Sequence, residues 1–188
     1  GHTVRRIHAR FVKPYLMADK NDANDAAAIC EAIQRPHMRF VPHKSQEQGD
    51  IQAIHRVRKG FVQARTATIN QTRALLVENG IVLPQGAQHL RKQLPAIFGD
   101  DTNDLSGIMR KLLRTLYETI ISLDASITAQ DKELRRLATT HEVCRRLMEI
   151  PGVGFITATV LLTLVGRIGD FKNGRQFAAF LGLTPRQY

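Results

Sequence analysis

Apolar positions recur in two long helical rhythms in the middle of this chain, flanked by shorter and more broken segments. Ser45 with Gln48 three residues on has the form of a capping box. Beyond it Ile51, Ile54, Val57, Phe61 and Ala64 recur at three- and four-residue steps, the spacing of one face of an α-helix. The stripe reaches Leu75 and Leu76 and predicts a helix that stops at Asn79-Gly80, a usual C-terminal signal. A second stripe, Leu105, Ile108, Leu112, Leu116, Ile120, Leu123 and Ile127, followed by Leu134 and Leu137, predicts a helix from about Asp104 to Thr139. Its steps approach a heptad seam. Such a seam has two possible partners: the first long helix, as an antiparallel hairpin, or a second copy of the chain, as a coiled coil. Between the two, Ile81 to Asp104 reads as a loop with a short helix.

The ends differ. Thr3 to Tyr15, with β-branched and basic residues, reads as a strand running into a loop at Pro14. The Ala-rich run from Asp22 to about Gln34 has strong helix propensity, and Pro36 ends it. Arg39 to Pro42 is a short apolar extension, read as an edge strand or linker. From Val143 the chain switches to compact helices punctuated by Pro151-Gly152, Gly169, Gly174 and Gly182. The division that follows is residues 1–44, 45–140 and 141–188, mostly α.

Composition then narrows the partner. The chain has 188 residues, a 43% hydrophobic and 23% charged composition, and a net charge of +10, which suits a folded protein that attracts polyanions. Cys30 and Cys144 form no CxxC pair and read as buried thiols of a reducing compartment. The apolar run Phe155 to Gly166 is too short to span a bilayer. No signal peptide is visible, and a start at Gly1 rather than Met reads as a processed or excised segment.

Three groups of residues bear on chemistry. Asp19, Asp22 and Asp25 are spaced by three, so neighbouring carboxylates share a helical face and suit a hard cation such as Mg²⁺. The same residues at a helix start also favour its dipole and cap free N–H groups, with Asp19 as the candidate N-cap. Arg56, Arg58, Arg65 and Arg73 lie on the first long helix, with almost no acids at three- and four-residue positions between Ile51 and Leu75. Such a row suits a phosphate backbone; the alternative is a solvated face. Gly152, Val153 and Gly154, followed by an aliphatic helix, have the pattern of a helix-hairpin-helix. There, exposed N–H groups meet a DNA phosphate while Val153 and Ala158 pack inside; the bland alternative is a helical turn with no ligand.

The blocks KNDANDA, AICEAIQRPHMRFVP, HRVRKGFVQARTATINQTRALLVENGIVLPQG and IPGVGFITATVLLTLVGRIGDFKNGRQFAAFLGLTPRQ resemble insertion-sequence transposases of the "one-ten" family, in its "eleven-eleven" branch. The resemblance covers essentially the whole chain. It implies that 1–44 is the C-terminal part of an RNase H-like (RuvC-like) α/β domain of DEDD type and that 45–140 is a coiled coil. It further implies that 141–188 opens a helical transposase domain.

Family members hold Mg²⁺, bind a structured guide RNA that pairs with DNA, and act as oligomers, in the bacterial cytoplasm at the nucleoid. The last two acids of the tetrad lie in a Lys-x-Asp-x-x-Asp-Ala motif that Lys20, Asp22, Asp25 and Ala26 match. The other Asp and the Glu are expected before Gly1. The serine nucleophile is expected just past Tyr188, and Ser45, Ser106, Ser122 and Ser126 do not stand in its motif. Two rivals remain: a non-catalytic helix-hairpin-helix nucleic-acid-binding module, and a coiled-coil assembly protein whose basic face serves only solubility.

Overall fold

The computed structural model describes residues 2, 4–16, 21–36, 38, 40–41, 44–165 and 171–183, and these are mostly helical. The chain divides into two compact units, one of residues 1–45 with 165–188 and the other Gln46–Leu164.

In the first unit, β1 (Arg6–Ile7) pairs antiparallel with β2 (Phe40–Val41), Arg6 opposite Val41 and Ile7 opposite Phe40. The strand expected over Thr3–Tyr15 is therefore only two residues long among those described. Helix α1 (Ala9–Val12) and a 3₁₀ turn (Lys13–Tyr15) take up the rest, with Pro14 inside the turn. The His8 side chain accepts from the Arg10 N–H at 3.2 Å, which starts the helix early. Helix α2 (Asp22–Ile33) is N-capped by Asn21, whose side chain accepts from Asn24 N–H at 2.8 Å. Asn21 thus fills the capping role expected of Asp19, which lies outside the described residues, as does Lys20. Ala28 and Ala32 form the buried face of α2. Cys30 falls two residues from each, on the other side of the helix, and is exposed, so only Cys144 fits the expectation of buried thiols. Helix α8 (Gly174–Phe180) is capped by Asn173, which accepts from Gln176 N–H.

The second unit is built on α3 (Gln46–Glu78) and α5 (Gly107–Thr140), packed on each other along the chain as an antiparallel hairpin. A seven-residue step up α3 is answered by a seven-residue step down α5: Arg58 bonds Asp131, and Arg65 bonds Asp124. Leu113, Ile120, Ile127 and Leu134, also seven apart, are the buried line of α5. The seam foreseen on α5 is therefore covered from within the chain. Its first member, Leu105, is buried, but the next two are displaced, since Ile108 and Leu112 are 75% and 48% exposed and Leu113 takes the inward position.

Helix α3 ends in the expected place. Gly80 adopts φ 75°, and Ile81 N–H reaches back to Leu76 O at 2.9 Å, a hydrogen bond only a left-handed residue allows at this point. Helix α4 (Ala87–Gly99) is longer than a short helix in a loop, and it continues through Pro95. Burial outweighs the proline: Leu90 and Leu94 sit in one core with Ile69, Leu76, Leu105, Leu113 and Ile120. Ser106 caps α5, accepting from Met109 N–H at 3.1 Å.

Helices α6 (Glu142–Met148) and α7 (Phe155–Leu164) pack on each other and on α5, and α7 also packs on α3. Ala158, Thr159 and Thr163 are the buried line of α7, and side chains this small let it lie close to its neighbours.

Candidate nucleic-acid interface

The four arginines singled out on α3 have different surroundings. Arg58 donates to both carboxylate oxygens of Asp131. Arg65 Nη1 donates to Asp124 Oδ1 at 2.8 Å. Arg91 of α4 brings Nη1 to 2.9 Å from Asp124 Oδ2, an ion-pair distance off the line of a hydrogen bond. Arg73 donates to the carbonyls of Leu83, Pro84 and Gly86 at 2.7 to 3.1 Å, folding the loop after α3 against the helix. These three guanidinium groups hold the second unit together. The helix itself carries no acid between Ile51 and Val77, as expected, but Arg58 and Arg65 find acidic partners on α5, and Arg73 finds carbonyls. Arg56 is exposed and, among the described residues, bonds no other side chain.

The turn between α6 and α7 brings Gly152, Val153 and Gly154 together. Gly152 has φ 87°, which a side chain would strain. Val153 packs against a core of Ala138, Cys144 and Ala158. Gly154 needs no left-handed backbone, and nothing lies within 4 Å of where its Cβ would stand. Ala158 N–H donates to its carbonyl at 2.9 Å, opening α7. The N–H groups of the first turn of a helix have no partner within it. Arg135 of α5 places its guanidinium 4.4 Å from the ring centroid of Phe155, the first residue of α7. A cation thus stands at the positive end of that helix. Sequence reasoning missed Arg135, because nothing local to α5 ties it to a turn twenty residues on.

Helix α7 is held to α3 by two polar contacts. Gln48 Nε2 donates to Leu162 O at 3.0 Å. His55 Nε2 lies 2.9 Å from Thr159 Oγ1, which itself donates to Phe155 O at 2.7 Å. Burial, and then the charge of Arg58, hold the His55 pKa below its usual 6.5. Burial, with the nearby Glu47 charge, pushes the Cys144 thiol up.

Asp22 and Asp25 stand in the first turn of α2, Asp22 exposed and Asp25 half-buried. Both suit the helix dipole there. Carboxylate oxygens three residues apart also fit a hard cation, but no third His, Cys, Asp or Glu joins them among the described residues. They therefore supply two ligands at most.

No helix of the described residues is long and apolar enough to cross a membrane. Family comparison matches residues 144–188 to the Transposase IS116/IS110/IS902 family, and residues 2–80 to a second family described as Transposase, the DEDD type of IS110. The whole chain is 41% identical to the transposase for insertion sequence element IS1111A of Coxiella burnetii, covering 52% of that protein. It is 42% identical over its whole length to a probable family 20 transposase of Pseudomonas aeruginosa, covering 56% of it. A transposase for insertion sequence element IS1328 of Yersinia enterocolitica is 38% identical, with 55% covered. The chain thus spans about half the length of these relatives. No solved structure matches it.

Proposed function

The chain belongs to the IS116/IS110/IS902 family of transposases, and from that premise we propose that it is part of an enzyme that cuts and rejoins the DNA of an insertion sequence. The observation that carries this reading is identity near 40% along all 188 residues to proteins named as such transposases.

In this reading residues 1–44 belong to an RNase H-like domain, and Asp22 and Asp25 are two of its four metal-holding acids. The remaining Asp and Glu come from elsewhere in the whole protein. Bound there, Mg²⁺ would offset negative charge on the scissile phosphate. The chain's own contribution is to hold two carboxylates on one helical turn and to grip nucleic acid. For the grip, the turn at Gly152, Val153 and Gly154 offers backbone N–H groups to a phosphate, beside the Arg135 guanidinium. The open space at Gly154 supports this, since nothing among the described residues requires a glycine there.

Arg56 is the exposed cation of the α3 row. Arg58, Arg65 and Arg73 enter as residues that keep that row in place, releasable to phosphate only at the expense of their internal bonds. The nucleophilic serine lies outside this chain. Ser106 is engaged as a helix cap, and Ser126 donates to Ser122 O within α5. A structured guide RNA, a homo-oligomer and a bacterial cytoplasmic setting complete the proposal.

The test is made in the whole protein. Asp22→Asn and Asp25→Asn should each abolish excision of the element while circular dichroism and melting stay as in the parent, since both groups stand at the surface end of α2. Excision at the parental level by either variant would remove that residue from the metal site.

A further inference from the structure

Gly60 is hard to account for from inside the molecule. It stands in the interior of the 33-residue helix α3, is exposed, and has nothing within 4 Å of where a Cβ would be. Glycine is the least favourable helix residue after proline, and neither packing nor a left-handed backbone here calls for one. Space kept open on an outward face serves something that comes from outside.

The surroundings of Gly60 say what that is. Arg56, Gln63 and Asn70 follow one another at seven-residue steps, all exposed, and none has a partner among the described residues. Lys59 is exposed beside them, and Ala64 and Ala67 are the next outward residues. From Ile51 to Val77 the helix has no Asp or Glu, and the chain's net charge is +10. The acids of α5 that approach α3, Asp124 and Asp131, are neutralised by Arg65 and Arg58. The outward face is left with cations, amides and very small residues.

We propose that this face of α3, from Arg56 to Asn70, lies against the major groove of duplex DNA, Gly60 and Ala64 giving the backbone close approach. The proposal rests on the nucleic-acid reading above and assigns it a surface. The major groove of B-DNA admits an α-helix, whereas that of A-form RNA is too narrow for side chains to read. Asn and Gln amides pair with adenine edges and Arg with guanine edges. Seven helical residues rise about 10.5 Å, close to three base-pair steps of about 3.4 Å each, so Arg56, Gln63 and Asn70 meet the duplex at a regular interval.

The experiment titrates the 188-residue chain against a fluorescein-labelled DNA duplex and, separately, an RNA hairpin stem of equal length. Gly60→Leu should weaken duplex DNA binding at least tenfold while raising the melting temperature. Arg56→Gln should weaken it and lower the slope of log affinity against log salt by about one. Ala129→Leu, on the exposed side of α5, should do neither. If Gly60→Leu binds DNA as Ala129→Leu does, the assignment of this face is overturned while the nucleic-acid reading stands. If the loss is seen on RNA alone, duplex DNA is the wrong occupant. Binding of neither probe by the unmodified chain overturns both proposals.

Discussion

His55 is a half-buried imidazole whose charge state the fold constrains. It shares a hydrogen bond with the Thr159 hydroxyl while standing next to Arg58 on the same helix. Burial, and then the charge of Arg58, disfavour the protonated imidazole. The folded pKa is therefore below the unfolded value of about 6.5, and at intermediate pH the unfolded chain binds more protons. Stability must then rise with pH through that window. His55 contributes fully above about pH 6.5, and its contribution is lost as pH falls from there through the folded value.

Urea melts from pH 8 down to pH 5 should show this loss, and His55→Gln, which keeps a hydrogen-bonding group for Thr159, should flatten it. An equal slope in the variant would assign the pH dependence to other groups. Cys144 and Cys30 show the limits of reading at this scale. Spacing made both look buried, yet only the one that meets Ala138 and Ala158 across helices is enclosed.

Between α3 and α5, apolar and polar layers alternate. Leu76 and Ile69 stand in one core with Leu113 and Ile120, while the Arg65–Asp124 and Arg58–Asp131 pairs occupy the seven-residue steps further along. Half-exposed ion pairs add little stability; what two pairs at matched spacing add is a register, since a shift of the helices would part both at once. The extents of both helices were legible in the sequence, the end of α3 because Asn79-Gly80 acts locally, while α5 starts at Gly107 behind its Ser106 cap rather than near Asp104. The inward face of α3 was not. Its line runs through Arg58, Arg65 and Thr72, so a search for apolar recurrence selected Val57, which is 49% exposed, and passed over the polar members. Pairing across helices is a tertiary fact, and it also hid Arg135.

Asp124 is the member with most at stake, standing between Arg65 and Arg91. Asp124→Ala leaves two half-buried guanidinium groups facing each other and should destabilise the unit by about 2 kcal/mol. Asp131→Ala removes a more exposed carboxylate that has a single partner, Arg58, and should cost about 1 kcal/mol or less. Urea midpoints measure both, and the reverse order would contradict the layering described.

For the whole molecule, family membership was legible in unbroken blocks of sequence that run along both units, and the comparisons bear it out. The mostly helical architecture was legible as well. The packing of α6 and α7 on the long hairpin was not, because α7 is apolar on nearly all sides and its periodicity names no preferred face. Asp22 and Asp25 were singled out by their spacing and then selected by the motif, because an acidic first turn alone is also what any helix favours.

The proposed function divides the labour: this chain holds two carboxylates and grips nucleic acid, while the nucleophile lies elsewhere in the whole protein. The most direct measurement incubates the 188-residue chain, and in parallel the full-length protein, with DNA carrying an end of the element, structured RNA and Mg²⁺, then resolves each on a denaturing gel. The full-length protein should give a denaturant-resistant protein–DNA adduct, and the chain alone none. A reproducible adduct from the chain alone would contradict that division.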